Sequence, residues 1–438
     1  MQFSFLRNLD GRRFDWSRLG GSLRRVLRGV ALGAAVLAVA GCASQTGGAR
    51  QGGERSSQRP PSLDGLDQGA AGVSLGQGAM VAPGEVARVA LLAPLGDARA
   101  PIREIAQSLT ESAQLALRDM NDPLIDLRVY DTAGTPQGAA QAAGRAAQDG
   151  ASIVVGPLFA TSITAAGPIA AQAGLPMIAF STDATVAGGN VFLIGFLPQQ
   201  EIQRVMTYAA SQGVSNIGAL TPQTDFGRLA ADAVRQSASL AGARVSALQT
   251  YQPSFDGVGE SVKIFAETHA AYAETGDPIQ GVLLADQGQA LQALGAYLAF
   301  YDVNRRNTKF LGVGGWNNPI TLKEPSLVGG VFASPDPLIQ ERFNQRFETA
   351  FGRRPHTLGA LGYDALAAIG AMTAEARSAG SSYPFSIEAM TAPAGFVGVN
   401  GVFRFLPNGL NERALAILEV TSTGFEVVDP AATSFAGY

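Results

Sequence analysis

From Val86 onward the chain alternates short apolar runs, each closed by turn residues, with Ala-rich stretches of helical spacing. The runs of the first half are Val86 to Leu95, Leu124 to Asp131, Ser152 to Gly156, Pro176 to Phe180 and Val191 to Phe196. Between Ile102 and Met120, the residues Ile105, Leu109, Ala113, Ala116 and Leu117 share one helical face, which predicts an amphipathic helix. A second set follows at Asn216 to Thr221, Arg244 to Tyr251, Ile279 to Ala285, Lys309 to Val313 and Val331 to Ser334. Runs this continuously apolar must be covered on both faces, which predicts parallel sheets between helical layers with right-handed crossovers. Two such sets predict an α/β protein of two doubly wound lobes. Near the end, Asn408-Gly409 lies between two short strand-like runs and predicts a tight hairpin.

The 438 residues suffice for two or three globular units, and 46% hydrophobic against 16% charged residues supplies large cores. Cys42 is the only cysteine, which excludes disulfides within the chain and any cysteine-rich zinc site. The two histidines, His269 and His356, lie far apart, so no HExxH metal site exists. There is no GxxxxGK[ST] loop, no GxSxG elbow precedes a helix, and Lys263, Lys309 and Lys323 are the only lysines. The expectation is a protein without enzymatic activity, metal or cofactor. Charge is segregated: residues 1–41 hold seven Arg against two Asp, a local +5, so the formal net charge of −4 leaves −9 for the remainder. A body that acidic offers no field for a phosphate backbone, which argues against nucleic acid as a partner.

Within that basic front end, Val30 to Gly41 is an apolar run of about a dozen residues, too short to span a bilayer and the length of a signal-peptide core. It ends in Val39-Ala40-Gly41-Cys42, which resembles a bacterial lipobox. That resemblance implies a signal peptide over 1–41 and a lipidated Cys42 as membrane anchor. Ala43 in place of Asp implies the periplasmic side of the outer membrane rather than the inner one. Residues 42–85 are rich in Gly, Ser, Gln, Arg and Pro without helical or strand period and read as a tether, with an r.m.s. reach of roughly 35–40 Å.

In open α/β sheets ligands gather at the carboxyl ends of the strands. The corresponding loops are Ala93 to Gly96, Asp131 to Gly134, Gly156 to Ser162, Phe180 to Asp183, Thr221 to Gly227, Asp286-Gln287 and Gly314 to Asn318. The stretches VALLAPL (89–95), VVGPL (154–158), LPMIAFST (175–182), Phe226-Gly227 and FVGVNGVFRFLPNG (396–409) together resemble the type I periplasmic binding proteins, the fold of branched-chain amino-acid receptors. The resemblance covers about residues 86–430 and implies three crossings between lobes, with lobe one at 86–197 plus 333–395 and lobe two at 198–332 plus 396–430. It implies a central cleft lined by Phe159, Thr161, Ser162, Ser181, Thr182, Asp183, Asp225, Phe226, Asp286, Trp316 and Asn317. Thr161 and Ser162 are open to two uses, capping the helix behind them or leaving its free N–H groups to an anion. Trp316 is equally open between cleft and core.

At the positions where amino-acid receptors hold the ligand's carboxylate and ammonium, this chain has Ala160, Asp183, Pro198 and Gly314, which argues against an α-amino acid ligand. The phrases DTAGTP (131–136), GPLFA (156–160) and IAFSTD (178–183) resemble lipoprotein activators of penicillin-binding proteins. The leading expectation is therefore regulation of a peptidoglycan synthase. The alternative is capture of a small solute for an ABC permease. If Cys42 carries the anchor, Cys42→Ser moves the protein from the membrane fraction to the soluble periplasm, and continued tight membrane retention of that variant contradicts the assignment.

Overall fold

The computed structural model describes residues 78–435; Cys42, the signal-peptide reading of 1–41 and most of the 42–85 tether lie outside the described residues. The first sheet holds β1 (Ala87–Ala93), β2 (Ile125–Asp131), β3 (Ile153–Val155), β4 (Met177–Ala179) and β5 (Val191–Leu193) in the order β2-β1-β3-β4-β5, all parallel. Helices α1 (Ala100–Met120), α2 (Pro136–Gln148) and α3 (Ala160–Gln172) connect them. A proline opens each of α1 and α2, where the missing N–H costs nothing. The Thr135 side chain accepts from the Gly138 N–H to cap α2.

The chain then passes through α4 (Pro198–Ser211) into β6 (Asn216–Pro222), α5 (Asp225–Leu240), β7 (Arg244–Tyr251), α6 (Phe255–Glu274), β8 (Gly281–Leu284), α7 (Gly288–Phe300), β9 (Lys309–Gly312) and β10 (Val331–Ser334). It returns through α8 (Pro337–Phe351) and α9 (Ala360–Ser378), the latter packed along α1. A short α10 (Ile387–Met390) leads to an antiparallel sheet of β11 (Phe396–Gly398), β12 (Gly401–Phe405) and β13 (Asn411–Arg413). Finally β14 (Ala416–Val420) and β15 (Phe425–Asp429) add two antiparallel strands to the second sheet, whose order is β15-β14-β10-β9-β8-β6-β7.

The ten apolar runs all form strands, and the α/β architecture of parallel-sheet lobes is the one the pattern predicts. The late segment differs from its expected lobe. Residues 396–413 pack on the first lobe, where Phe396, Phe403 and Phe405 join the core of Leu91, Ile178 and Phe192. Phe405 meets Phe192 edge to face at 5.7 Å, and Leu193 N donates to Gly409 O at 2.7 Å. The hairpin covers the edge of the first sheet at β5, so the chain reaches the second sheet only after Arg413.

The last crossing centres on a buried ion pair. Arg413 and Asp364 of α9 are almost entirely enclosed, with Nη1 3.1 Å from Oδ2. Asp364 also accepts from Val399 N at 2.7 Å and from Asn400 Nδ2 at 2.9 Å, while Arg413 Nη2 donates to Ile194 O at 2.8 Å. The rings of Phe196 and Phe403 lie 4.9 and 4.8 Å from the guanidinium carbon. Burial pulls the Arg413 pKa down and the adjacent carboxylate opposes that pull. Removing one partner strands the other charge without water, so Asp364→Ala should cost about 3–5 kcal/mol in urea unfolding. The double variant Asp364→Leu/Arg413→Met, which removes both charges, should lose clearly less. Equal losses for the two would contradict the buried-charge account.

Candidate ligand-binding cleft

The carboxyl ends of both sheets border a partly open cavity of about 210 Å³. Thr182 and Phe196 come from the first lobe, Pro198 and Glu201 from the start of α4, and Phe226, Asp286, Gln287, Val313 and Gly315 from the second. A larger, open groove of about 700 Å³ runs over α5 beside Thr224, Arg228 and Thr250, but only second-lobe residues line it. The cavity shared between lobes is the site that a hinged two-lobed fold can close upon.

Of the expected cleft residues, Thr182, Phe226 and Asp286 meet in this cavity, and the others are used elsewhere. Phe159 precedes the first turn of α3 and lies under Arg99, whose guanidinium carbon is 5.1 Å from the ring centre. Asp97 grips that guanidinium with both oxygens, at 2.9 and 2.7 Å, which holds its own pKa down at about 2. Thr161 is exposed, Ser162 is buried with its hydroxyl unbonded, and neither side chain caps α3. Ser181 Oγ accepts from Asp183 N at 3.0 Å, and Asp183 in turn caps the turn at Ala184–Val186. Asp225 points to solvent and pairs with Arg228 at 2.9 Å. Asn317 Nδ2 donates to Ser334 Oγ at 3.1 Å and so ties its loop to the end of β10.

Trp316 belongs to the core and not to the cleft. It is fully buried, its Nε1 donates to Leu284 O at 3.2 Å, and its ring packs against Phe332 with centroids 6.1 Å apart. Gly312 runs directly beneath the indole, where a Cβ would come within 2.3 Å of it. A Gly- and Asn-rich loop looked like a place to display a tryptophan. The glycines instead let the backbone lie against a ring turned inward.

The residue that sequence reasoning missed is Glu201. It lies in the first turn of α4, three positions after Pro198, and is only 9% exposed. Its Oε2 accepts from Gly314 N at 2.9 Å, and a Cβ on residue 314 would fall 2.6 Å from Oε1. Gly314 is thus the space that Glu201 fills: an acid absent from the loop arrives from the crossing helix. An acid in the opening turn of the helix that leaves the interlobe crossing was the available signal, favoured there by the helix dipole. Desolvation drives the Glu201 pKa up to about 7, with the Gly314 hydrogen bond opposing the rise. Asp286, the second acid, accepts from the buried Tyr251 hydroxyl and from Gln287 N at 2.8 Å. Burial and that carboxylate push the Tyr251 hydroxyl well above the usual phenol range.

The cavity lining contains two carboxylates and no Lys, Arg or His. His269 is hydrogen-bonded to Thr308 at 2.8 Å, and His356 Nδ1 accepts from Leu358 N. Among the described residues, no group of three or more His, Cys, Asp or Glu could hold a metal, and no helix is long and apolar enough to cross a membrane. The lining offers two aromatic rings and two carboxylates.

Residues 87–425 match the family model described as periplasmic binding protein, and the chain belongs to that family. Solved structures agree in fold. A Rhodospirillum rubrum protein assigned to branched-chain amino acid ABC transport aligns at 22% identity and TM-score 0.65, covering 78% of this chain and 100% of its own. A Rhodopseudomonas palustris solute binding protein in complex with 3,4-dihydroxybenzoic acid aligns at 16% identity and TM-score 0.56, covering 80% and 98%. The Streptococcus pneumoniae branched-chain amino acid transporter substrate binding protein LivJ, in complex with isoleucine, aligns at 17% identity and TM-score 0.53, covering 79% and 100%. No curated protein matches the sequence. The family is one of ligand-binding proteins of the periplasm.

Glu201 gives this cleft a pH signature. The folded chain keeps the Glu201 proton over a range in which the unfolded chain, with a pKa near 4.5, has released it, so stability present at low pH is lost as pH rises through 7. Relative to Glu201→Gln, the native protein should lose about 2 kcal/mol between pH 5 and pH 8. Chemical denaturation of both proteins at the two pH values measures this, and parallel stability profiles contradict it.

Proposed function

We propose that the protein captures a small solute in the periplasm and presents it to an ABC permease. The observation that carries this reading is the cavity drawn from both lobes and the crossing helix. A ligand there would touch both lobes at once and favour the closed arrangement by its differential contacts. The similarity to ABC transporter substrate-binding proteins supports the same choice. The lipid anchor expected at Cys42 and the tether over 42–85 complete the proposal. They would keep the lobes near a membrane while leaving them free to reach a permease.

The alternative, activation of a penicillin-binding protein, rests on the phrases DTAGTP, GPLFA and IAFSTD. Much of their chemistry is accounted for locally. Asp131 accepts from Gly96 N and Ala133 N, Thr135 caps α2, and Asp183 caps its own turn. These are turn-building roles that any chain of this fold can use, so they favour no particular protein partner.

Solute capture is tested by heating the full-length protein with the two halves of an extract from its own host, one dialysable and one retained. A ligand at a hundred times its Kd stabilises by about 2.7 kcal/mol. The dialysable half should therefore raise the Tm by several degrees. A rise with the retained half alone would contradict solute capture and favour a macromolecular partner.

A further inference from the structure

Glu201 is a carboxylate with more than nine-tenths of its surface removed from water, aimed into a cavity, and given one hydrogen bond. Its Oε1 has no donor among the described residues, and no cation pairs with it. The Arg413 guanidinium, on the far side of the Phe196 ring that lines the cavity, is bonded to Asp364 and Ile194, and Arg204, one turn along the helix from Glu201, is bonded to Leu415 O and Asp429. Once ionised, above about pH 7, a buried carboxylate left this way is costly unless something supplies a positive charge. Asp286 adds a second negative group to the same cavity of about 210 Å³.

We propose that the cleft selects a small primary amine that carries no carboxylate, with its ammonium on Glu201 Oε1 and its apolar body against Phe196, Phe226 and Val313. This rests on the solute-capture reading and names the class of solute. An ammonium would give Glu201 the charge-assisted hydrogen bond it lacks and offset its burial. A third carboxylate would enter a cavity already lined by two and find no cation in the lining, so acids and free α-amino acids are disfavoured. Phe226, at 37% exposure, presents part of its ring at the second-lobe wall. The cavity lies below the range of drug-sized pockets, which limits the ligand to a compact molecule. The departure at Gly314 is what creates the subsite, because any side chain there would evict the Glu201 carboxylate.

The test uses four compounds that share one branched aliphatic body: isoamylamine, isoamyl alcohol, isovalerate and leucine. Each is titrated by calorimetry into the full-length protein at pH 8. Isoamylamine should bind at least tenfold more tightly than the other three. Glu201→Gln should lower amine affinity at least tenfold, leave affinity for the alcohol unchanged, and keep the native Tm or raise it. Tighter binding of isovalerate, leucine or the alcohol overturns the amine assignment while leaving solute capture in place. Amine affinity indifferent to Glu201→Gln, or no amine binding at all, also overturns it. Solute capture itself fails separately, when the dialysable extract leaves the Tm unchanged.

Discussion

The Arg413–Asp364 pair is the constraint around which the two lobes are arranged. Three passages of chain have to run close together at the hinge, and each brings backbone groups that cannot reach water. Arg413 satisfies Ile194 O on the first passage, and Asp364 satisfies Val399 and Asn400 beside the third. The polar chain continues from Asn400 through Gln340 to the loop of Asn317, on the second passage. Phe196 covers one face of the guanidinium and lines the cavity, so the group that pins the hinge also sets one wall of the site. A fully buried ion pair contributes less to net stability than its short contacts suggest, but it is intolerant of misplacement. That intolerance holds the crossings in one geometry.

Legibility in the sequence followed the range of the interactions involved. Eight of the ten apolar runs were readable because a strand covered on both faces leaves little freedom in its composition, and the edge strands β2 and β7, partly exposed, were readable from their turn residues and position between helices. The hairpin at Asn408-Gly409 was readable because its turn is local: Gly409 N donates to Leu406 O at 2.9 Å. Where the hairpin docks was not, since Phe403 and Phe405 suit either lobe until the register with β5 is known. β14 and β15 escaped for a similar reason, being antiparallel additions that no helix separates.

The site was readable only as a set of loops. Strand ends marked Thr182, Phe226 and Asp286, but the same rule marked Trp316, which a glycine-lined backbone turns into the core. Glu201 was invisible to a comparison of positions because its carboxylate occupies the volume of a different residue, Gly314, more than a hundred positions later. Loss of an acid at one place and its return from another element is a compensation that only three-dimensional proximity reveals. The electrostatic character of the cleft changes with it: of the acids expected there only Asp286 lines the cavity, and the desolvated Glu201 joins it.

The central claim is that the interlobe cavity is a solute site governed by Glu201. It is tested most directly by the crystal structure of the full-length protein purified from its own host without denaturation. The account predicts ordered density inside the cavity, touching Phe196 and Phe226, with a hydrogen-bond donor on Glu201 Oε1. A cavity holding only water, or a ligand whose acceptor atoms face Glu201, would contradict it.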